Sequence, residues 1–393
     1  MANNSPWTEK VDGNTITKIN FCHRPWTEMH IEENGNITPC CVMPSNIHFV
    51  ANGIENYQKS DKLKEIKKYF LKNKQHPHCQ FCWDAERNGV RSQRDKDKTD
   101  LTKLKKIHLR FNNICNFKCR MCNPKFSSTW AEENKIHKYF VHDYTLDKDI
   151  FETTNDLYKL ILNNRDTIKQ INISGGEPLI TKINYKFLQF LIDNNLTHIT
   201  IAYSTNLSKV DYNDVDLVSI FKKFNRIILS VSVDGYGKDV EYSRHGFKWD
   251  IFIKNLEKVR PYVTNLVCVV NIYSIYSIPQ LQYFAEKNNF TISYQPCLYP
   301  KFLSTQSLPR KEKLQILKFY DSVKQAGHLH NYTAIKRNVL NYMMNEQIDS
   351  YVIGKTLYNC SAEFKNFNTL LDKTRGENFI DTFPQFKKWY EEL

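Results

Sequence analysis

Three cysteines stand closest together in chemically useful spacing: Cys115-Asn-Phe-Lys-Cys119-Arg-Met-Cys122. Three thiolates on one short loop can hold three irons of a 4Fe–4S cube and leave the fourth iron open to a non-protein ligand. A structural zinc site wants four closed ligands, and the fourth is missing here. About fifty residues later stands Ile173-Ser174-Gly175-Gly176-Glu177-Pro178. Its glycines let backbone approach a ligand closely, and Glu177 presents a carboxylate to an ammonium group.

A second cysteine pattern lies near the start. Cys22 and Cys40 flank Gly35, and Cys79-Gln-Phe-Cys82 follows. Two cysteines from each limb suit a complete 4Fe–4S site or a structural zinc equally well, and spacing does not choose. Cys41, beside Cys40, is a spare thiol or the true ligand. Cys268, Cys297 and Cys360 fall outside both groups. Cys268 reads as packed core, as does Cys297, unless Cys297 faces a cavity as a hydrogen donor or ligand. Cys360 has no motif around it.

The elements that must position these groups are legible from apolar periodicity. Strands are expected at 107–111, 170–173, 199–203, 227–233, 266–272 and 291–294. Helices are expected at 127–139, 156–162, 185–192, 215–224, 249–259 and 278–287. Six strands alternating with helices predict a parallel α/β sheet, and strands this apolar predict burial on both faces. Each chemical motif then falls at a strand's C-terminal end, where parallel barrels place their sites. Upstream, Lys62–Lys74 reads as a basic helix with Leu63, Ile66 and Phe70 on one face and six lysines around them. The charged run 94–100 reads as a linker. Beyond Leu308 the chain reads as helical, with 312–325 clearest, and Asp372 and Arg375 are spaced for a surface salt bridge on one helix face.

CxxxCxxC one strand before Gly-Gly-Glu-Pro resembles the radical SAM superfamily over roughly residues 105–300. The resemblance implies a partial (β/α)6 barrel with Cys115, Cys119 and Cys122 as cluster ligands. It also implies S-adenosylmethionine (SAM) chelated at the open iron, with Gly175, Gly176 and Glu177 at the methionyl amine. Reductive cleavage would then yield a 5′-deoxyadenosyl radical that abstracts a substrate hydrogen, with a flavodoxin- or ferredoxin-type electron donor as partner. Asn206, Ser232, Asp234 and Arg244 end or follow later strands, and alternation puts Ser232 and Asp234 on one face, where they could hydrogen-bond ribose hydroxyls. Ser232 looks similar to the family's ribose-binding position, and Arg244 resembles an arginine that pairs the methionyl carboxylate.

Residues 14–94 resemble a shortened SPASM ("twitch") auxiliary domain, here preceding the barrel, with Cys22, Cys40, Cys79 and Cys82 holding one auxiliary 4Fe–4S cluster. The likeness extends to Leu371-Asp-Lys-Thr-Arg-Gly376. The implied organisation is an auxiliary domain at 14–94, a barrel at 105–300 and a helical extension at 301–393.

The resemblance implies a peptide or protein side chain as substrate. A small molecule (sugar alcohol, aminocyclitol or nucleotide) is the second reading. Composition adds a third. The chain has 393 residues and a net charge of +13, and 41% hydrophobic with 25% charged residues marks an ordinary globular protein. The basic balance motivates a nucleic-acid-binding or RNA-modifying role, although no RNA-binding motif is visible. The first residues, Met1–Pro6, lack a signal-peptide pattern, so cysteines are expected reduced in the cytoplasm.

Overall fold

The computed structural model describes residues 8–11, 14–17, 20–43, 54–87, 92–94, 101–140, 155–213, 215–327, 331–353 and 355–393. Residues 95–100 of the expected 94–100 linker and the first six residues lie outside them. The chain divides into two compact units, each drawn from three segments.

The first unit comprises Met1–Ile114, Thr145–Tyr203 and Ser219–Ile227. Its strands are β1 (Glu28–Ile31), β2 (Ile37–Thr38), β3 (Lys106–Arg110), β4 (Gln170–Ser174) and the start of β5 (Thr200–Thr205). They run in the order β2-β1-β3-β4-β5. β1 pairs parallel with β3, β3 with β4, and β4 with β5, while β1 and β2 are antiparallel. The N-terminal region thus adds a strand beside the first barrel strand. The helix Asp61–Leu71 buries Leu63, Ile66 and Phe70, as its periodicity requires, with Ser60 capping its start.

The second unit comprises Cys115–Tyr144, Ser204–Val218 and Ile228–Leu393. Its strands β6 (Ile227–Ser232), β7 (Val263–Val270) and β8 (Ile292–Pro296) pair parallel in that order. After β8 come the helix Arg310–Gln325, a hairpin of Ser350–Ile353 with Thr356–Asn359, and the helix Cys360–Arg375.

All six expected barrel strands are present in alternation with helices, so the α/β class holds. The expected 215–224 helix is shorter, Leu217–Phe221, because Val215–Asp216 pairs instead with Asp211–Tyr212. Burial on both faces does not hold either. On β3 and β4, Ile107, Leu109, Ile171 and Ile173 are fully buried, while Lys106, His108, Arg110, Gln170, Asn172 and Ser174 are half-buried. The period-2 alternation puts these polar side chains together on one face, which is therefore not a dry core. No helix among the described residues is long and apolar enough to cross a membrane.

Candidate active site

Within the second unit, the cysteine loop is tied down through its backbone, with Cys115 and Cys119 buried and Cys122 half-buried. The helix Ser128–His137 follows it, and Ser127 caps that helix while its hydroxyl donates to the Phe117 carbonyl at 2.8 Å. Trp130 Nε1 donates to the Cys119 carbonyl at 2.7 Å, and Cys115 N donates to Ser128 Oγ at 3.2 Å. Lys118–Cys119 pairs antiparallel with Arg244–His245, which brings Arg244 Nη1 to 3.9 Å from Cys119 Sγ. Asn206 Nδ2 lies 3.9 Å from Cys115 Sγ and 3.3 Å from Asn116 Oδ1. Burial raises the Cys119 thiol and pushes Cys122 up to about 12. An iron core would supply the positive charge that draws off those protons.

The Gly-Gly-Glu turn belongs to the first unit and follows β4. Gly176 has φ +48°, and a Cβ there would sit 2.3 Å from the Ile114 carbonyl oxygen. Glu177 N donates to that same oxygen at 2.7 Å. The turn is therefore seated on the residue that precedes Cys115, and only glycine fits. Glu177 is fully buried, and its Oε1 accepts from Leu179 N at 3.1 Å. It caps the short 3-10 turn Pro178–Ile180, a local role that its carboxylate type alone did not reveal.

Ser232 ends β6 and is half-buried. Asp234 has neither carboxylate oxygen facing solvent: Oδ1 accepts from Val269 N and Oδ2 from Arg244 Nε, both at 2.7 Å. Arg244 is itself buried, and despite the cost of burial the neighbouring Asp234 and Cys119 keep its guanidinium charged. Asp234 thus serves Arg244, and Arg244 serves the cysteine loop.

In the first unit, Cys22, Cys40, Cys79 and Cys82 line one partly open cavity with Arg24, His78 and Arg94. Cys41 is not in its lining, and its Sγ accepts from Arg24 Nη1 at 3.9 Å. Burial and the nearby Cys22 and Cys82 push the Cys79 thiol up to about 12. No three His, Cys, Asp or Glu side chains among the described residues converge tightly enough to hold a single ion. Four cysteines line this cavity, a donor set that suits an iron–sulfur group or a structural zinc. Cys268, Cys297 and Cys360 are buried, and the Cys297 thiol donates to the Tyr299 carbonyl at 3.5 Å.

The Asp372–Arg375 surface pair is not formed. Arg375 pairs with Glu133 at 2.6 Å, with both side chains buried, and Asp372 pairs with Arg120 at 2.6 Å. Each reaches a distant partner because a buried guanidinium needs a carboxylate and the helix face turns inward. Arg120 itself went unnoticed in the sequence. The one usable signal was an arginine between two closely spaced ligand cysteines, in a loop that must be buried.

Residues 109–278 match the Radical SAM superfamily by sequence profile. This stretch is a radical SAM domain. The GTP 3′,8-cyclase of Campylobacter lari is 31% identical to the chain over 130 residues, which are 33% of this chain and 34% of that protein. Solved structures similar to the chain include anSMEcpe with bound AdoMet and Cp18Cys peptide, at 18% identity and TM-score 0.38, over 57% of this chain and 62% of that one. Another is Streptococcus suis SuiB bound to precursor peptide SuiA, at 15% identity and TM-score 0.38, over 72% and 54%. The chain spans about a third of the curated relative's length and under two thirds of either solved chain. The radical SAM domain carries the three-cysteine loop, the Gly-Gly-Glu turn, Asn206, Ser232, Asp234 and Arg244.

Proposed function

We propose that the protein is a radical SAM enzyme acting on a peptide or protein side chain. The observation that carries the radical SAM assignment is the Cys115/Cys119/Cys122 loop, with Asn206 reaching the buried Cys115 sulfur and Arg244 the buried Cys119 sulfur, inside the matched domain. When bound, a 4Fe–4S cluster there would deliver one electron to the sulfonium of SAM, breaking its bond to C5′ and yielding methionine and a 5′-deoxyadenosyl radical that takes a substrate hydrogen. The chain's own residues hold and enclose these reactants. Cys115, Cys119 and Cys122 ligate the cluster. Gly175 and Gly176 admit the methionyl end to the backbone, and Glu177 supplies the charge for its amine. Ser232 meets the ribose, and Arg244, fixed by Asp234, places positive charge beside Cys119.

The peptide reading is supported by the twitch-like cysteine pattern and by the cavity that gathers its four thiols. A second reading, a nucleotide substrate, is favoured by the 31% identity with the GTP 3′,8-cyclase. Anaerobic reconstitution tests both. Reduced protein should convert SAM to 5′-deoxyadenosine, and the Cys115/Cys119/Cys122→Ala triple variant should not. Deuterium carried into 5′-deoxyadenosine from labelled peptides supports the first reading, and from labelled GTP the second. Unchanged cleavage by the triple variant refutes the assignment.

A further inference from the structure

Arg120 lies between two of the loop cysteines, and its side chain is wholly buried. Every polar atom of its guanidinium is engaged inside the second unit. Nη2 donates to Asp372 Oδ1 and to Glu377 Oε2, each at 2.6 Å. Nη1 donates to Asn368 Oδ1 at 3.0 Å and Nε to the Tyr242 carbonyl at 3.3 Å, while the plane lies 3.8 Å over the Tyr242 ring. Its backbone N donates to the Ser243 carbonyl at 2.8 Å, beside Arg244.

The acceptors are held in turn. Tyr242 OH donates to Asp372 and Asn368, Tyr273 OH donates to Asn368, and Phe379 N donates to Asp372 Oδ2. Glu377 Oε1 meets His245 Nδ1 at 2.6 Å. A second tie runs in parallel: Arg375 pairs with Glu133 and lies 4.8 Å from the Trp130 ring, whose Nε1 holds the Cys119 carbonyl.

We propose that Arg120 is a positioning residue through which the segment Asn368–Glu377 sets the placement and reduction potential of the cluster held by Cys115, Cys119 and Cys122. This rests on the radical SAM reading. Each of the two carboxylates adds negative charge on the Arg120 side of the loop, where reduction adds another. In a buried site such charges are weakly screened. The segment therefore holds the potential down, and a lower potential makes the reduced cluster the stronger one-electron donor. Its sequence, Asp372-Lys-Thr-Arg375-Gly, acquires a role as the loop's anchor rather than a surface pair.

The test uses the full chain, reconstituted anaerobically, with iron content, reduced-state EPR with and without SAM, and the midpoint potential as readouts. Asp372→Asn and Glu377→Gln keep the hydrogen-bonding shape and remove one negative charge each. Both should keep their iron, shift the SAM-sensitive midpoint upward, and shift it further in combination. Arg120→Lys should change the EPR line shape or lose iron, because a compact ammonium cannot span the four acceptors that the guanidinium reaches. Glu363→Gln, on the same helix, should leave the potential unmoved. If Asp372→Asn does not fold, Glu377→Gln decides. A SAM-sensitive signal in the unsubstituted protein with wild-type midpoints in the folded variants overturns the inference. Absence of any SAM-sensitive signal in the unsubstituted protein overturns the radical SAM reading instead.

Discussion

Asp234 and Arg244 form a buried ion pair at 2.7 Å, and the same guanidinium reaches to 3.9 Å from Cys119 Sγ. A carboxylate expected to face the ribose is instead the counter-charge of an arginine that abuts the cysteine loop. Removing one partner of such a pair leaves an uncompensated buried charge. Asp234→Asn still accepts from Val269 N, so its effect isolates that charge. It should destabilise the second unit by about 3 kcal/mol, read by urea unfolding, and Arg244→Met, which strands the buried Asp234 carboxylate, should cost a similar amount.

Glu177→Gln separates two roles that one side chain combines. The amide oxygen can still accept from Leu179 N, so the cap, worth about 1 kcal/mol, survives. The charge does not. SAM affinity should fall by about one to two orders of magnitude, the loss of a charge-assisted bond of roughly 2–3 kcal/mol, while the unfolding midpoint stays put. Equilibrium binding beside urea unfolding checks both halves.

Gly176→Ala and Gly237→Ala make a matched pair. Both glycines have positive φ, +48° and +56°, but a Cβ at 237 meets nothing within 4 Å. Gly237→Ala should therefore cost only the backbone strain of φ +56° with ψ −125°, about 1–3 kcal/mol. Gly176→Ala must also displace the Ile114 carbonyl, so it should destabilise more and lower SAM affinity by over about tenfold. Equal costs in urea unfolding would show that the Ile114 contact yields freely.

Iron counting tests the N-terminal cavity. Two four-iron clusters give about eight irons per chain, and the triple variant at 115, 119 and 122 should keep about four. With all four thiols ligating, its signal should not respond to SAM. One zinc and no iron in that variant would make the region a zinc module.

Acid should weaken the first unit in two windows. Burial holds His108 below its ordinary range, so as pH falls below about 6.5 the unfolded chain takes that proton first and stability is lost. Burial works against an ionised Glu28, yet the His108 hydrogen bond and the Arg24 charge hold its carboxyl below the usual range. Its contribution is complete above about pH 4.3 and fades below that. Urea unfolding at pH 7.5 and 5.5 should show a smaller loss for His108→Asn, with His76, also lowered by burial, supplying part of the remainder.

Local spacing by itself determined the strands, most helices and both cysteine groups, because 2.0 and 3.6 periodicities and loop-borne ligands are short-range patterns. It also marked Gly176, since a turn that admits backbone needs a residue without a Cβ. Pairing across long separations was beyond it. Arg120 and Asp372 are 252 residues apart, and nothing in either neighbourhood names the other. Asp372 and Arg375 looked like partners because they share a helix face; only packing showed that this face is buried, where each charge must find the counter-charge that the fold delivers. Asp234 tells the same story over ten residues. A carboxylate at a strand end serves a ligand or a neighbour equally well by type, and the tertiary structure decided for the neighbour by bringing Arg244 to both Asp234 and Cys119.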